Sequence, residues 1–108
     1  MNNEALALIF DNAGVIYIGD ISETKQDSEY LLIRNPAQIF YNIKEDTKDV
    51  EINIIPVCFP EILSAESKEK GTRWVYQRKN ARFISAFDVK IDERVVSYYR
   101  DVFTKMVS

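Results

Sequence analysis

A chain of 108 residues holds one domain, large enough for its own core and too short for two. Its 46% apolar and 29% charged content is that of a soluble globular protein and excludes disorder as the main state. The formal net charge of -3 excludes indiscriminate coating of nucleic acid, which runs on cationic charge, so any phosphate contact must be local.

Residues 6–21, LALIFDNAGVIYIGDI, carry apolar side chains on both sides of Asp11-Asn12-Ala13-Gly14. An Asn close to a Gly between extended runs marks a tight reversal, so a β-hairpin is predicted. Gly19 interrupts its second strand, where a missing side chain permits a sharp bend or a close backbone approach. Residues 22–28 contain no apolar side chain and read as a loop. A strand follows over residues 29–34, and Asn35-Pro36 is expected to stop its ladder because Pro has no N–H to donate.

Residues 37–43 and 50–59 read as a second hairpin around the charged turn 44–49, with Val50, Ile52 and Ile54 alternating against Glu51 and Asn53. Pro56 and Pro60 put the second strand at an edge or a bend. Residues 60–71 fit either a short helix or an insertion loop. Residues 72–77 and 81–89 are extended runs with a turn at Gln77-Arg78-Lys79-Asn80. From Asp92, an N-cap, a helix is predicted whose apolar face carries Val95, Val96, Tyr99, Val102, Phe103 and Met106, with Ile91 and Val96 stapled across the cap.

The chemistry is narrowed by missing parts. Without His, catalytic dyads or triads built on imidazole and His-based metal sites are excluded, and the one cysteine, Cys58, can form neither an intrachain disulfide nor a thiolate zinc site. Cys58 sits between Val57 and Phe59 and reads as a small buried hydrophobe. Glu45, Asp46 and Asp49 form the densest acidic cluster, in a loop where such charges serve solvation. Three glycines make no phosphate-cradling loop. The expectation is a protein that is not an enzyme and needs no cofactor or metal. No run of roughly 18 apolar residues exists to span a membrane. The start, Met1-Asn2-Asn3-Glu4, is not that of a secretory signal, which points to the cytoplasm.

Positive chemistry lies in residues 72–83, TRWVYQRKNARF, with the cations Arg73, Arg78, Lys79 and Arg82, no acid, and the aromatics Trp74 and Tyr76. Removing those four charges leaves the rest of the chain at -7, since -3 minus 4 is -7. Cations for phosphates beside rings for bases are what single-stranded RNA binding requires. The same residues also fit a hairpin with basic tips and core aromatics. In a strand Trp74 and Tyr76 share one face and Arg73, Val75 and Gln77 the other.

The pattern of Leu8, Gly14, Gly19 and Ile21 resembles the first block of the Sm and LSm proteins. Residues 30–36, YLLIRNP, and the closing run from Phe83 to Phe103 are similar to stretches of a divergent, cyanophage-type group of Sm-like proteins that ends in a helix. The resemblance implies a mostly β fold, a strongly bent five-stranded antiparallel barrel with a C-terminal helix in a single domain. It also implies homo-oligomeric rings of about five to seven copies closed through open strand edges, acting in the cytoplasm of an infected host. The family's uridine pocket is poorly kept. Asp27-Ser28-Glu29-Tyr30-Leu31 has Glu where the stacking side chain belongs and Leu for Asn, and Ile84 is followed by Ser85-Ala86 where Arg-Gly is usual. RNA contact is therefore expected on Arg73, Trp74, Tyr76, Arg78, Lys79 and Arg82, with Tyr30 as a second candidate. The other reading is a ring that serves as a structural or adaptor protein for a protein partner.

Overall fold

The computed structural model describes residues 5–25, 27–57, 64, 66, 71–85 and 90–107, with helix side chains as far as Thr104. The expected strand end around Cys58 to Pro60, most of residues 60–71, and residues 86–89 lie outside the described residues.

The predicted first hairpin forms from β1 (Leu6–Asp11) and β2 (Ile16–Asp20), registered from Leu6 opposite Asp20 to Phe10 opposite Ile16. Gly14 has φ +89°, a left-handed conformation open to a residue without Cβ. The Asp11 carboxylate braces the turn by accepting from the Ala13 N–H at 2.8 Å. At Gly19 the reason is close approach. A Cβ there would run into Ile33 Cγ2 and come within 3.3 Å of the Arg34 carbonyl, and the register with the next strand shifts between Ile18 and Asp20.

That next strand, β3 (Tyr30–Ile43), corrects an expectation: the ladder does not stop at Asn35-Pro36. Asn35 takes φ +52°, and the strand changes partner on one side. Residues 30–34 pair with β5 (Arg73–Gln77), and residues 37–43 pair with β4 (Val50–Pro56). The Pro36 position, which has no N–H to offer, falls at the junction, and its carbonyl accepts from the Val57 N–H at 3.0 Å. Val50–Pro56 is an outer strand, one of the two outcomes, edge or bend, expected from its prolines. A three-residue 3-10 turn at Arg78–Asn80 leads from β5 to β6 (Ala81–Ile84), which pairs with β1 and not with β5. The result is one antiparallel sheet of six strands where five were expected, ordered β4-β3-β2-β1-β6 with β5 also on β3. Its ladder is not closed among the described residues.

Both faces of the sheet are buried, which explains why residues 6–10 are continuously apolar. On one face Ile9, Leu31, Ile33 and Tyr76 form a core with Tyr17, Trp74 and Ile84. On the other, Ile18, Ala37 and Ile54 lie under α1 (Glu93–Val107), joined by Leu8, Ile39 and Ile52. The helix contributes Val95, Tyr99, Val102 and Phe103, four of the six residues expected on its apolar face. The Met106 side chain lies outside the described residues. Asp92 caps the helix by accepting from the Arg94 N–H at 2.8 Å, and Ile91 enters the cluster beneath it with Val95. No described helix is long and apolar enough to cross a membrane.

Candidate nucleic-acid interface

Alternation along β5 sorts the basic-aromatic segment into two populations. Trp74 and Tyr76 point inward and Arg73, Val75 and Gln77 outward, as the period predicted. Trp74 meets Tyr17 edge-on at a centroid distance of 5.0 Å and Tyr76 at 5.4 Å. The Tyr76 hydroxyl donates to Asp11 Oδ2 at 2.5 Å. Burial and that carboxylate push the Tyr76 hydroxyl well above its ordinary pKa, while the same hydrogen bond, ahead of the Ala13 N–H, holds Asp11 low. Tyr76 is therefore a core residue and Trp74 a partly buried ring packed against it, and together they fasten β5 to the first hairpin through edge-on contacts with Tyr17.

The four cations also divide. Arg73 is held by the Glu23 carboxylate in a forked pair, Nε to Oε2 at 2.8 Å and a terminal nitrogen to Oε1 at 3.1 Å, so its charge is neutralised at close range. Arg78 belongs to the turn. Its backbone N–H donates to the Glu29 carbonyl and its Nε to the Ser28 carbonyl, both at 2.9 Å. These bonds strap the turn to the start of β3, where Tyr30 stands opposite Gln77.

The outcome is an open groove of about 720 Å³ lined by Ser28, Glu29, Tyr30, Gln77, Arg78 and Lys79. Tyr30 is 48% exposed. No hydrogen bond or ion pair engages the Lys79 ammonium among the described residues, although the Lys79 carbonyl accepts from the Asn12 side chain at 3.4 Å. Three of the expected site residues, Tyr30, Arg78 and Lys79, thus converge. Arg82 goes elsewhere, to a second groove beside Phe10, Tyr41 and Phe83.

Ser28, Glu29 and Gln77 also line this groove, although they were not among the expected contacts; the Tyr30–Gln77 register and the Arg78 bonds to the Ser28 and Glu29 carbonyls bring them together. Phe83, which follows Arg82 directly, lines the second groove with it. Two further positions named from the sequence are buried. Leu31 is buried in the core, so no polar base contact is available from it. Ser85 is buried, its hydroxyl accepting from the Leu8 N–H at 2.9 Å. The acidic residues Glu45, Asp46 and Asp49 sit on the exposed turn 44–49. Among the described residues no cluster of three or more acidic or sulfur side chains is placed to hold a metal.

No protein-family model and no curated protein matches the chain.

Proposed function

We propose that this chain is a divergent Sm-like subunit that assembles with copies of itself and holds single-stranded RNA in the groove between residues 28–30 and 77–79. The observation that carries this reading is the convergence of an exposed tyrosine ring with Arg78 and Lys79 on a hydrogen-bonded frame. A ring face can stack on a base while the cations meet the flanking phosphates, a mode tolerant of sequence. Glu29 on the same rim disfavours close phosphate approach on its side, which orients the backbone toward the turn.

The barrel is part of the proposal. β5 runs along β3 and β6 along β1, so that three strands, β3, β2 and β1, lie between β5 and β6 in the sheet, yet only three residues join them. A sheet whose far margins are tied by so short a link must curl strongly, and Gly19 supplies the close approach that curling needs. Among the described residues β4, β5 and β6 each have one unpaired side in the sheet order, and those of β4 and β6 are the margins through which identical copies would add to one another. Several copies would multiply a weak site by avidity.

A structural or adaptor role is the second reading, favoured by the β3–β4 hairpin tip. There Tyr41, Ile43 and Val50 are more than half exposed.

Anisotropy titrations of a short oligouridylate at increasing salt distinguish the two. The RNA reading expects steep salt dependence and, for Arg78→Ala with Lys79→Ala, a slope smaller by about two phosphate equivalents. Absence of binding even at low salt removes it and leaves the adaptor.

A further inference from the structure

One row of side chains crosses the helix-bearing face of the sheet. Phe83 stands opposite Phe10, Phe10 opposite Ile16, Ile16 opposite Ile39, and Ile39 opposite Ile54. Directly opposed residues share a face. The helix covers the Ile39 and Ile54 end of the row. At the other end Phe83 is 53% exposed, and Tyr41, farther along β3, is 61% exposed. Between them runs a groove of about 500 Å³, with Phe10 and Ile16 among its lining and Arg82 at its wall. That volume is within the roughly 300–1,000 Å³ of clefts that take small organic ligands.

Three aromatic rings line this groove; Phe10 and Phe83 meet edge to face at 5.6 Å, and Phe83 and Tyr41 are the exposed rings of the three. No described residue bonds to the Arg82 side chain. Asp11 also lines the groove, but its carboxylate already accepts from the Tyr76 hydroxyl and the Ala13 N–H. The groove lies next to the one already described. Arg82 lies four residue steps after Arg78, a span of at most about 14 Å even when fully extended, and the Asn12 N–H ties the first hairpin's turn to the Asn80 carbonyl at 2.9 Å. The apolar strip continues to Ile43 and Val50, but there the neighbouring cation, Lys44, is paired with Glu51 at 2.8 Å. Of these two cations, Arg82 at the aromatic groove is the one without a side-chain partner among the described residues.

We infer that the groove bounded by Phe10, Tyr41, Arg82 and Phe83 is a second nucleotide subsite. In it a base of the same RNA strand stacks on Tyr41 or Phe83 and its phosphate meets Arg82, so that the strand passes over the Arg78–Asn80 turn from one groove to the other. This rests on the RNA reading above and extends its footprint.

The test uses the full chain and oligouridylates of three and twelve nucleotides. Tyr41→Ser with Phe83→Ser is expected to weaken the twelve-nucleotide probe by roughly tenfold, while the three-nucleotide probe, held at Tyr30, is unaffected. Arg82→Gln is expected to lower the single-strand salt slope by about 0.7. Photocrosslinking of wild-type protein to a 4-thiouridine probe, followed by trypsin, is expected to label the peptides 35–44 and 83–90 as well as the one containing Tyr30. This readout stands even if the double variant does not fold. Wild-type binding that Tyr30→Ala weakens, with no label on those two peptides and unchanged affinity in the serine variant, overturns the second subsite alone. No binding by wild-type protein overturns both readings. A serine variant that breaks up the oligomer, with no label on those peptides, overturns the subsite in favour of a contact between copies.

Discussion

Gly19 and Asp20 show how single residues set the bend. Gly19→Ala would push a methyl into Ile33 and toward the Arg34 carbonyl at a fully packed crossing. The expected loss is about 1–3 kcal/mol, read as a lower urea midpoint at unchanged slope. Asp20 is 6% exposed, and its Oδ1 accepts from the Ala5 N–H at 3.0 Å and the Ser22 N–H at 2.9 Å. Burial pushes its carboxyl up, but those donors and the Arg34 charge outweigh burial and leave it below the ordinary value of 3.8. Asp11 is lowered as well, chiefly by the Tyr76 hydroxyl. In both cases the unfolded chain takes up its proton first as pH falls. The stabilisation is present above 3.8 and is lost as pH drops through the lower folded-state values. Acid titrations of stability should therefore steepen below that point, and Asp20→Asn should flatten the curve. A curve unchanged by the substitution would assign the acid sensitivity to other carboxylates.

At the scale of elements, β5 joins a stability role to a surface role on alternating residues, and substitutions should separate them. Trp74→Ala removes a ring packed against Tyr17 and Tyr76 and is expected to destabilise by about 3 kcal/mol. Lys79→Ala, on the exposed turn, is expected to stay within about 0.5 kcal/mol while weakening RNA. Equal losses of stability from the two would contradict the division. The helix is locked to the strand junction by the Tyr99 hydroxyl, which donates to the Asn35 carbonyl at 2.7 Å. Tyr99→Phe keeps the ring and leaves that carbonyl without its donor, for an expected loss of about 1 kcal/mol in denaturant titrations.

For the whole molecule the decisive quantity is how many copies associate. In the proposed assembly the sides of β4 and β6 that are unpaired among the described residues, with an apolar hairpin tip beside one of them, would join patch to different patch, closing into a ring or running on as a filament. Light scattering behind a sizing column should give a discrete multiple of the chain mass, and thermal stability should rise with protein concentration. Single chains at every concentration would end the ring proposal and leave each groove to act alone.

The sequence by itself determined the first hairpin, the outer position of β4, the inward turn of Trp74 and Tyr76 and the capped helix, because each follows from periodicity, a turn residue or a missing N–H within a few neighbouring positions. It did not determine that β3 runs through Asn35-Pro36 and trades β5 for β4, nor that β5 and β6 pair with different strands. Those outcomes depend on which distant backbone groups are in reach, and alternation along one strand is blind to its partners. The candidate site followed the same division. Its cations were visible as a local excess of charge, but only the tertiary structure paired Arg73 with Glu23, brought Tyr30 beside Arg78 and Lys79, and sent Arg82 to the groove of Tyr41 and Phe83. Charge is a property of composition, whereas the company a charge keeps is set by register between strands far apart in the chain.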